Sequence, residues 1–196
     1  MKKSLISIAV VAVVLVAGFI WVKNTYNSLV SSSEEVSAAW AQVENVYQRR
    51  ADLIPNLVAT VKGYAEHESE TLAAVVEARS KATSVTISPE ELNEESIAAF
   101  QAAQNNLSGA LGRLIAIAEN YPELKASQNF SELQAQLEGT ENRISVERQK
   151  FNDTALAYNK QVKMFPSNIV ASIFGLEQKG YFKAAEGAQN APVVEF

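Results

Sequence analysis

Apolar residues recur along this chain at alternating spacings of three and four. Stepping by sevens from Tyr26 gives Tyr26, Ser33, Trp40, Tyr47, Ile54, Val61, Glu68 and Val75. Starting three residues later gives Leu29, Val36, Val43, Arg50, Leu57, Tyr64 and Thr71. Most of these are apolar, so the pattern predicts one long helix over Tyr26–Arg79 with coiled-coil-like packing against at least one partner helix. Ser33, Arg50 and Glu68 interrupt the seam. Pro55 lies inside the run, has no N–H and obstructs the carbonyl of Ala51, so a kink or hinge is expected there.

Two further periodic segments follow. Lys81–Ser88 is rich in Ser and Thr and reads as a connector. Ser88-Pro89-Glu90-Glu91 places a capping serine, a proline at the first helical position and a glutamate three residues past the cap, which predicts a helix start. From there Phe100, Leu107, Leu114 and Tyr121 step by seven, with Leu111 and Ala118 between them, until Pro122 ends the helix. After a turn over Glu123–Gln128, Asn129 is the expected cap of a third helix, with Glu132 three residues on. Its heptad is Phe130, Leu137, Ile144, Phe151, Tyr158 and Phe165, with Leu133, Ala155 and Val162 beside it, and Pro166 closes it. Ser167 then caps a short amphipathic helix with Ile169, Val170, Ile173 and Phe174, ended by Gly175. No strand pattern and no internal repeat are evident.

These elements predict an all-α protein: an antiparallel up-and-down bundle of three to four helices in which the first and third long helices run parallel. The organisation is a membrane anchor over 1–25, a bundle domain over 26–166, and a short helix with a C-terminal tail over 167–196.

The anchor is the uncharged run Leu5–Val22, whose length of ~27 Å matches the hydrocarbon core of a bilayer. Trp21 and Tyr26 stand where interfacial aromatics are expected. Val16-Ala17-Gly18 resembles a signal-peptide cleavage site, but the apolar run is longer than such a peptide's core and the helical pattern continues beyond it. Lys2 and Lys3 precede the run and Lys23 follows it, so the positive-inside rule places the bundle outside the cytoplasm by a margin of one lysine.

Charge and composition narrow the functions. Setting aside Lys2, Lys3 and Lys23 leaves 14 basic against 22 acidic residues, a net of −8 over residues 24–196. Such a domain repels phosphate at long range, so nucleic acid is not an expected partner. The absence of cysteine excludes disulfides, thiolate metal sites and thiol catalysis. The single histidine, His67, has Tyr64 three residues before it, so the Glu-x-x-His pair of bundle metal sites is missing. Glu66 and Glu68 flank it but do not share its helix face, and an exposed helix histidine is expected. No glycine-rich phosphate loop or nucleophile elbow occurs. Glu90-Glu91 and Glu94-Glu95 suit a solvated helix start. No catalytic residue, metal ligand or cofactor is therefore expected.

Arg50 is the informative break in the seam. A buried guanidinium needs partners, since an unpaired buried charge costs several kcal/mol. One reading is a buried polar layer in which Arg50 meets Glu141 or Glu147, supported by Asp52 and Asn56, and fixes helix register. The other is that Arg50 reaches solvent along its aliphatic stem.

Several blocks resemble the LemA family of bacterial membrane proteins. They are Gln48-Arg-Arg-Ala-Asp-Leu-Ile-Pro-Asn-Leu-Val58, Val61-Lys-Gly-Tyr-Ala-Glu-His-Glu68, Ala39-Trp40 with Gln42-Val43, and Glu119-Asn-Tyr-Pro-Glu-Leu-Lys-Ala126. Phe130-Ser-Glu-Leu133, Thr140-Glu-Asn142, Tyr158-Asn159 and Phe165-Pro166 complete a match from about Tyr26 to Pro166. The resemblance implies a single-pass protein of the bacterial cytoplasmic membrane carrying a helical bundle. It supplies no catalytic residues, and it hints at membrane proteases or envelope signalling as the setting.

The functional expectation is a membrane-anchored scaffold or adaptor acting through protein–protein contact. It touches the bilayer through residues 5–22, and its partners are other proteins, itself or a membrane protease. Ile169, Val170, Ile173, Phe174, Val193, Val194 and Phe196 form the candidate interaction surface. The alternatives are an envelope sensor that transmits a signal with a membrane partner such as a protease, and a metal-binding helical-bundle enzyme.

Overall fold

The structure is a computed structural model that describes residues 2–184 other than Glu66. It is all-α. Helix α1 spans Lys2–Lys62, α2 Ser69–Ser84, α3 Glu94–Ala118, α4 Pro122–Lys125, α5 Gln128–Lys163 and α6 Ser167–Ile173, with a 3₁₀ turn at Pro89–Glu91 before α3. The 61 residues of α1 make a rod roughly 90 Å long. The described side chains from Leu5 to Trp21 are exposed, and the bundle begins at Val22.

The long helix is shorter than its heptads suggest. It ends at Lys62, and Gly63 begins a turn in which Ala65 N donates to the Val61 carbonyl at 2.9 Å. Glycine is a poor helix residue, and beyond this point α1 would have little to pack on. Asn129, in the first turn of α5, already lines a groove with Asn56, Ala59 and Thr60 near the end of α1. Val75 continues the heptad by number, yet it sits on α2, which folds back to bury it with Leu72 in the same core.

That reversal corrects the predicted directions. Helices α1 and α5 are antiparallel: Ser32 pairs with Gln161, Trp40 with Phe151, and Arg50 with Glu141. Helix α3 runs parallel to α1, with Tyr47 against Phe100 and Arg50 against Gln104. Helix α2 runs antiparallel to α3, so the Ala82 carbonyl meets Gln104 while Glu68 meets Tyr121. The order is up, down, up, down.

Several ends also differ from expectation. Pro89–Glu91 forms only a 3₁₀ turn, and α3 is capped by Asn93, whose side chain accepts from Ser96 N at 2.9 Å while Ser96 Oγ accepts from Asn93 N at 3.2 Å. Asn plus Ser makes the reciprocal box that Ser88 and Glu91 were expected to make. Helix α3 ends at Ala118, and Pro122 opens the short α4. Helix α5 starts one residue before Asn129, after Ser127. Phe165 lies beyond the end of α5 and is 79% exposed, so the last heptad position is not a core position. Ser167 bonds back to the Met164 carbonyl at 2.8 Å rather than capping α6. Gly175 does terminate α6, at a φ of 67° that suits glycine.

Two large apolar clusters stack along the bundle. Ile54, Leu57, Val61, Leu107, Leu114 and Leu137 belong to the one farther from the apolar N-terminal run. Trp40, Tyr47, Phe100, Phe151 and Phe182 form the aromatic heart of the nearer one. A small third cluster joins Val170 and Ala171 of α6 to Leu29, with Val22 and Tyr26 at its edge.

Candidate functional site

Arg50 sits between the two large clusters, one helical turn past Tyr47 and one before Ile54. Its side chain is buried, with the whole residue only 2% exposed. One Nη donates to Glu141 at 2.9 Å and to Ser108 at 2.8 Å. The other donates to the Gln104 side-chain oxygen at 2.7 Å and more loosely to the Gln104 carbonyl at 3.3 Å. The Gln104 amide nitrogen then donates to the Ala82 carbonyl at 3.1 Å. One guanidinium thus ties α1 to α3 and α5 directly, and to α2 through Gln104. The Tyr47 ring covers it, 5.0 Å from centroid to Cζ.

Of the residues expected to form this layer, the structure joins Arg50 with Glu141. Asp52 is exposed and accepts from Gln48 at 2.7 Å. Asn56 is exposed at the far groove beside Glu132 and Gln136. Glu147 pairs with Lys150 at 2.8 Å. All three lie off the seam, and the guanidinium instead takes Gln104 and Ser108. Gln104 was findable, since it lies four residues after Phe100 and three before Leu107, on the apolar stripe of α3. Ser108, beside Leu107, gave no such signal.

A second construction closes the aromatic cluster nearer the apolar N-terminal run. After Gly175 the chain runs as an extended strap over the bundle, held by side-chain amides in pairs. Asn159 accepts from Lys179 N and donates to its carbonyl, both at 2.8 Å. Asn152 does the same to Phe182, both at 2.9 Å. Gln101 donates to the Lys183 carbonyl at 2.8 Å. These amides give the strap the backbone partners that it lacks from regular structure. They deliver Phe182 onto Trp40, with the rings 18° from parallel and their centroids 5.9 Å apart. Arg148 lies over the Phe182 ring, 4.7 Å from its centroid. Gly180 is required where the strap crosses the start of α3: a Cβ there would lie 2.7 Å from the backbone of Asn93 and Glu94.

Electrostatics follow burial. Burial raises the Tyr47 hydroxyl above its ordinary value, against the opposing pull of Arg148 and Arg50. Burial raises Tyr158 as well, and lowers the ammonium of Lys179 on the strap itself. These shifts belong to packed groups, not to an acid–base pair. His67 is exposed in the α1–α2 turn, not on a helix. Among the described residues no cluster of His, Asp and Glu could hold a metal ion.

The candidate interaction surface divides. Ile169 and Ile173 on α6 and Phe174 just past its end are exposed, while Val170 is buried against α1 and unavailable. Val193, Val194 and Phe196 lie outside the described residues.

An apolar helix running unbroken into an antiparallel bundle, with a buried Arg50 that ties its helices together, defines an all-α helical-bundle protein. The LemA family model matches residues 39–196, and the chain belongs to the LemA family. Magnetosome protein MamQ 2 of Paramagnetospirillum magneticum is 28% identical, over 96% of this chain and 75% of its own length. Magnetosome protein MamQ of Magnetospirillum gryphiswaldense is 27% identical over 95% and 75%. Protein LemA of Metamycoplasma hominis is 26% identical over 82% and 69%. None of these names is an enzyme's. With the long apolar N-terminal helix, they support a membrane-associated protein.

Proposed function

We propose that this protein is a scaffold or adaptor of the bacterial cytoplasmic membrane that works by holding other proteins, with its bundle on the extracytoplasmic side. The observation that carries this reading is the continuity of α1 from the apolar run into the bundle core. A stiff rod of this kind holds a binding surface at a set height above the bilayer. An apolar groove of about 540 Å³ lies between the end of α1 and α2, lined by Val58, Leu72, Ala73 and Val76. It is the docking site this reading favours. A scaffold also suits relatives named as magnetosome proteins rather than as enzymes.

The test is cross-linking in native membranes, followed by capture of the full-length protein in mild detergent. Discrete cross-linked species whose contacts map to the Val58–Val76 groove are expected; monomers with no partner would overturn the proposal. Since the chain has no cysteine, a single Ser69→Cys variant reports the side of the membrane. An impermeant maleimide should label it in cells with an opened outer envelope and an intact cytoplasmic membrane.

A further inference from the structure

The corner between α5 and α6 exposes Met164, Phe165, Ile169, Ile173 and Phe174 together. Met164 and Phe165 at the turn are exposed, and Ile173 on α6 is 70% exposed. Helix α6 has three faces. Val170 and Ala171 pack on Leu29; Asn168 and Ser172 are polar; Ile169 and Ile173, one turn apart, form an exposed apolar stripe. A helix with one face on protein and its free surface divided between apolar and polar suits a boundary between lipid and water.

Position and charge agree with that. The end of α5 lies beside the start of the bundle, since Gln161 bonds to Ser28 and Ser32. Phe174 lies against Tyr26 with ring centroids 4.5 Å apart, and Tyr26 is about 6 Å along α1 from Val22. The corner therefore stands level with the end of the apolar run. Although the chain past Lys23 is strongly acidic, residues 1–33 and 154–176 contain no Asp or Glu. They carry Lys2, Lys3, Lys23, Lys160 and Lys163. Acid is absent from the two segments that meet at this end.

We propose that the α5–α6 corner is a second membrane contact, in which Phe165, Ile169 and Ile173 enter the interfacial layer of the leaflet from which α1 emerges, with Lys23, Lys160 and Lys163 near anionic headgroups. The occupant is lipid, not another protein. The inference rests on the apolar run spanning the membrane. Two attachment points instead of one fix the tilt and rotation of the bundle, which a lone helix leaves free.

The test uses the full-length protein, which has no native cysteine. Single cysteines replace Phe165, Ile173, Val13 and Val76, all exposed positions. Each carries an environment-sensitive nitrobenzoxadiazole dye, and the proteins are reconstituted into phosphatidylcholine–phosphatidylglycerol vesicles. Some vesicles contain lipid bearing a nitroxide near the carbonyl end of its acyl chain, others near the methyl end. Dyes at 165 and 173 should lose most of their emission to the shallow quencher, the dye at 13 to the deep one, and the dye at 76 to neither. If 165 and 173 behave like 76 while 13 is quenched, the anchor stands and the second contact is refuted. Blue-shifted but unquenched emission at 165 and 173 would show that protein covers the corner, which also overturns the proposal. If 13 is unquenched, the spanning segment itself is refuted and the inference falls with it.

Discussion

The Nε of Arg79 donates to the carbonyl oxygen of Ala51 at 2.7 Å. Ala51 is four residues before Pro55, so its carbonyl is the one that the missing N–H of proline leaves without a helix partner. Helix α1 runs through Pro55 without interruption, and a side chain from α2 makes the bond that the backbone cannot. Pro55 is thus braced against the bundle, which speaks against a free hinge.

This relationship can be measured by a double-mutant cycle. Arg79→Ala strands a buried carbonyl and should cost about 1–3 kcal/mol. In a Pro55→Ala background the new N–H can satisfy Ala51, so the same change should cost well under about 1 kcal/mol. Chemical denaturation followed by circular dichroism reads both. Equal costs in the two backgrounds would show that Arg79 does not serve the proline.

The polar layer should respond asymmetrically to loss of its two charged members. Glu141 has a side chain 55% exposed, whereas that of Arg50 is 3% exposed. Removing Glu141 leaves Arg50 bonded to Gln104 and Ser108, and Glu141→Gln should cost about 1 kcal/mol. Arg50→Ala empties the space between two apolar clusters and strips Gln104 and Ser108 of a donor, so about 3 kcal/mol or more is expected. Equal losses would mean that the ion pair, not the whole layer, holds the helices.

How much of this was legible in the sequence depends on the kind of signal. The heptads of α3 and α5 identify Phe100, Leu107, Phe130, Ile144 and Phe151 as core, and all are buried, because burial on one helical face leaves a periodic trace. Arg50 stood out by breaking such a trace. The end of α1 was hidden because Val75 continues the repeat by number while belonging to another helix. Arg79 and Asn152 gave no signal either, since their partners are backbone atoms distant in sequence, and a polar side chain that bonds to backbone looks like any surface residue. The strap escaped for the same reason: an extended segment held by amides has no period.

Strap and bundle should separate under mild perturbation. Gly180→Ala places a methyl 2.7 Å from the backbone of Asn93 and Glu94, so the strap must lift. Hydrogen exchange at Lys179 and Phe182, whose N–H groups rest on Asn159 and Asn152, should speed up, while exchange in the middle of α5 stays unchanged. Phe182→Ala removes a ring from the aromatic cluster and should cost about 3 kcal/mol, unless the strap peels first and caps the loss. Slow exchange at 179 and 182 in Gly180→Ala would show that the close approach is relieved without lifting the strap.

Alkaline pH offers a separate test of the aromatic cluster around Trp40. Burial raises the Tyr47 and Tyr158 hydroxyls above their ordinary 10.0. Above that pH the unfolded chain loses these protons before the folded one does, so the folded state holds more of them. The stability linked to them is complete below pH 10.0 and is lost as pH rises through the folded values. Lys179 acts in the opposite sense: burial lowers it from 10.5, so its contribution rises with pH up to that value. A shallow maximum in stability followed by a fall above about pH 10 is therefore expected from urea denaturation across the alkaline range. Tyr47→Phe should weaken the fall, and Lys179→Met should flatten the rise before it. A fall of undiminished steepness in Tyr47→Phe would show that Tyr47 does not set it.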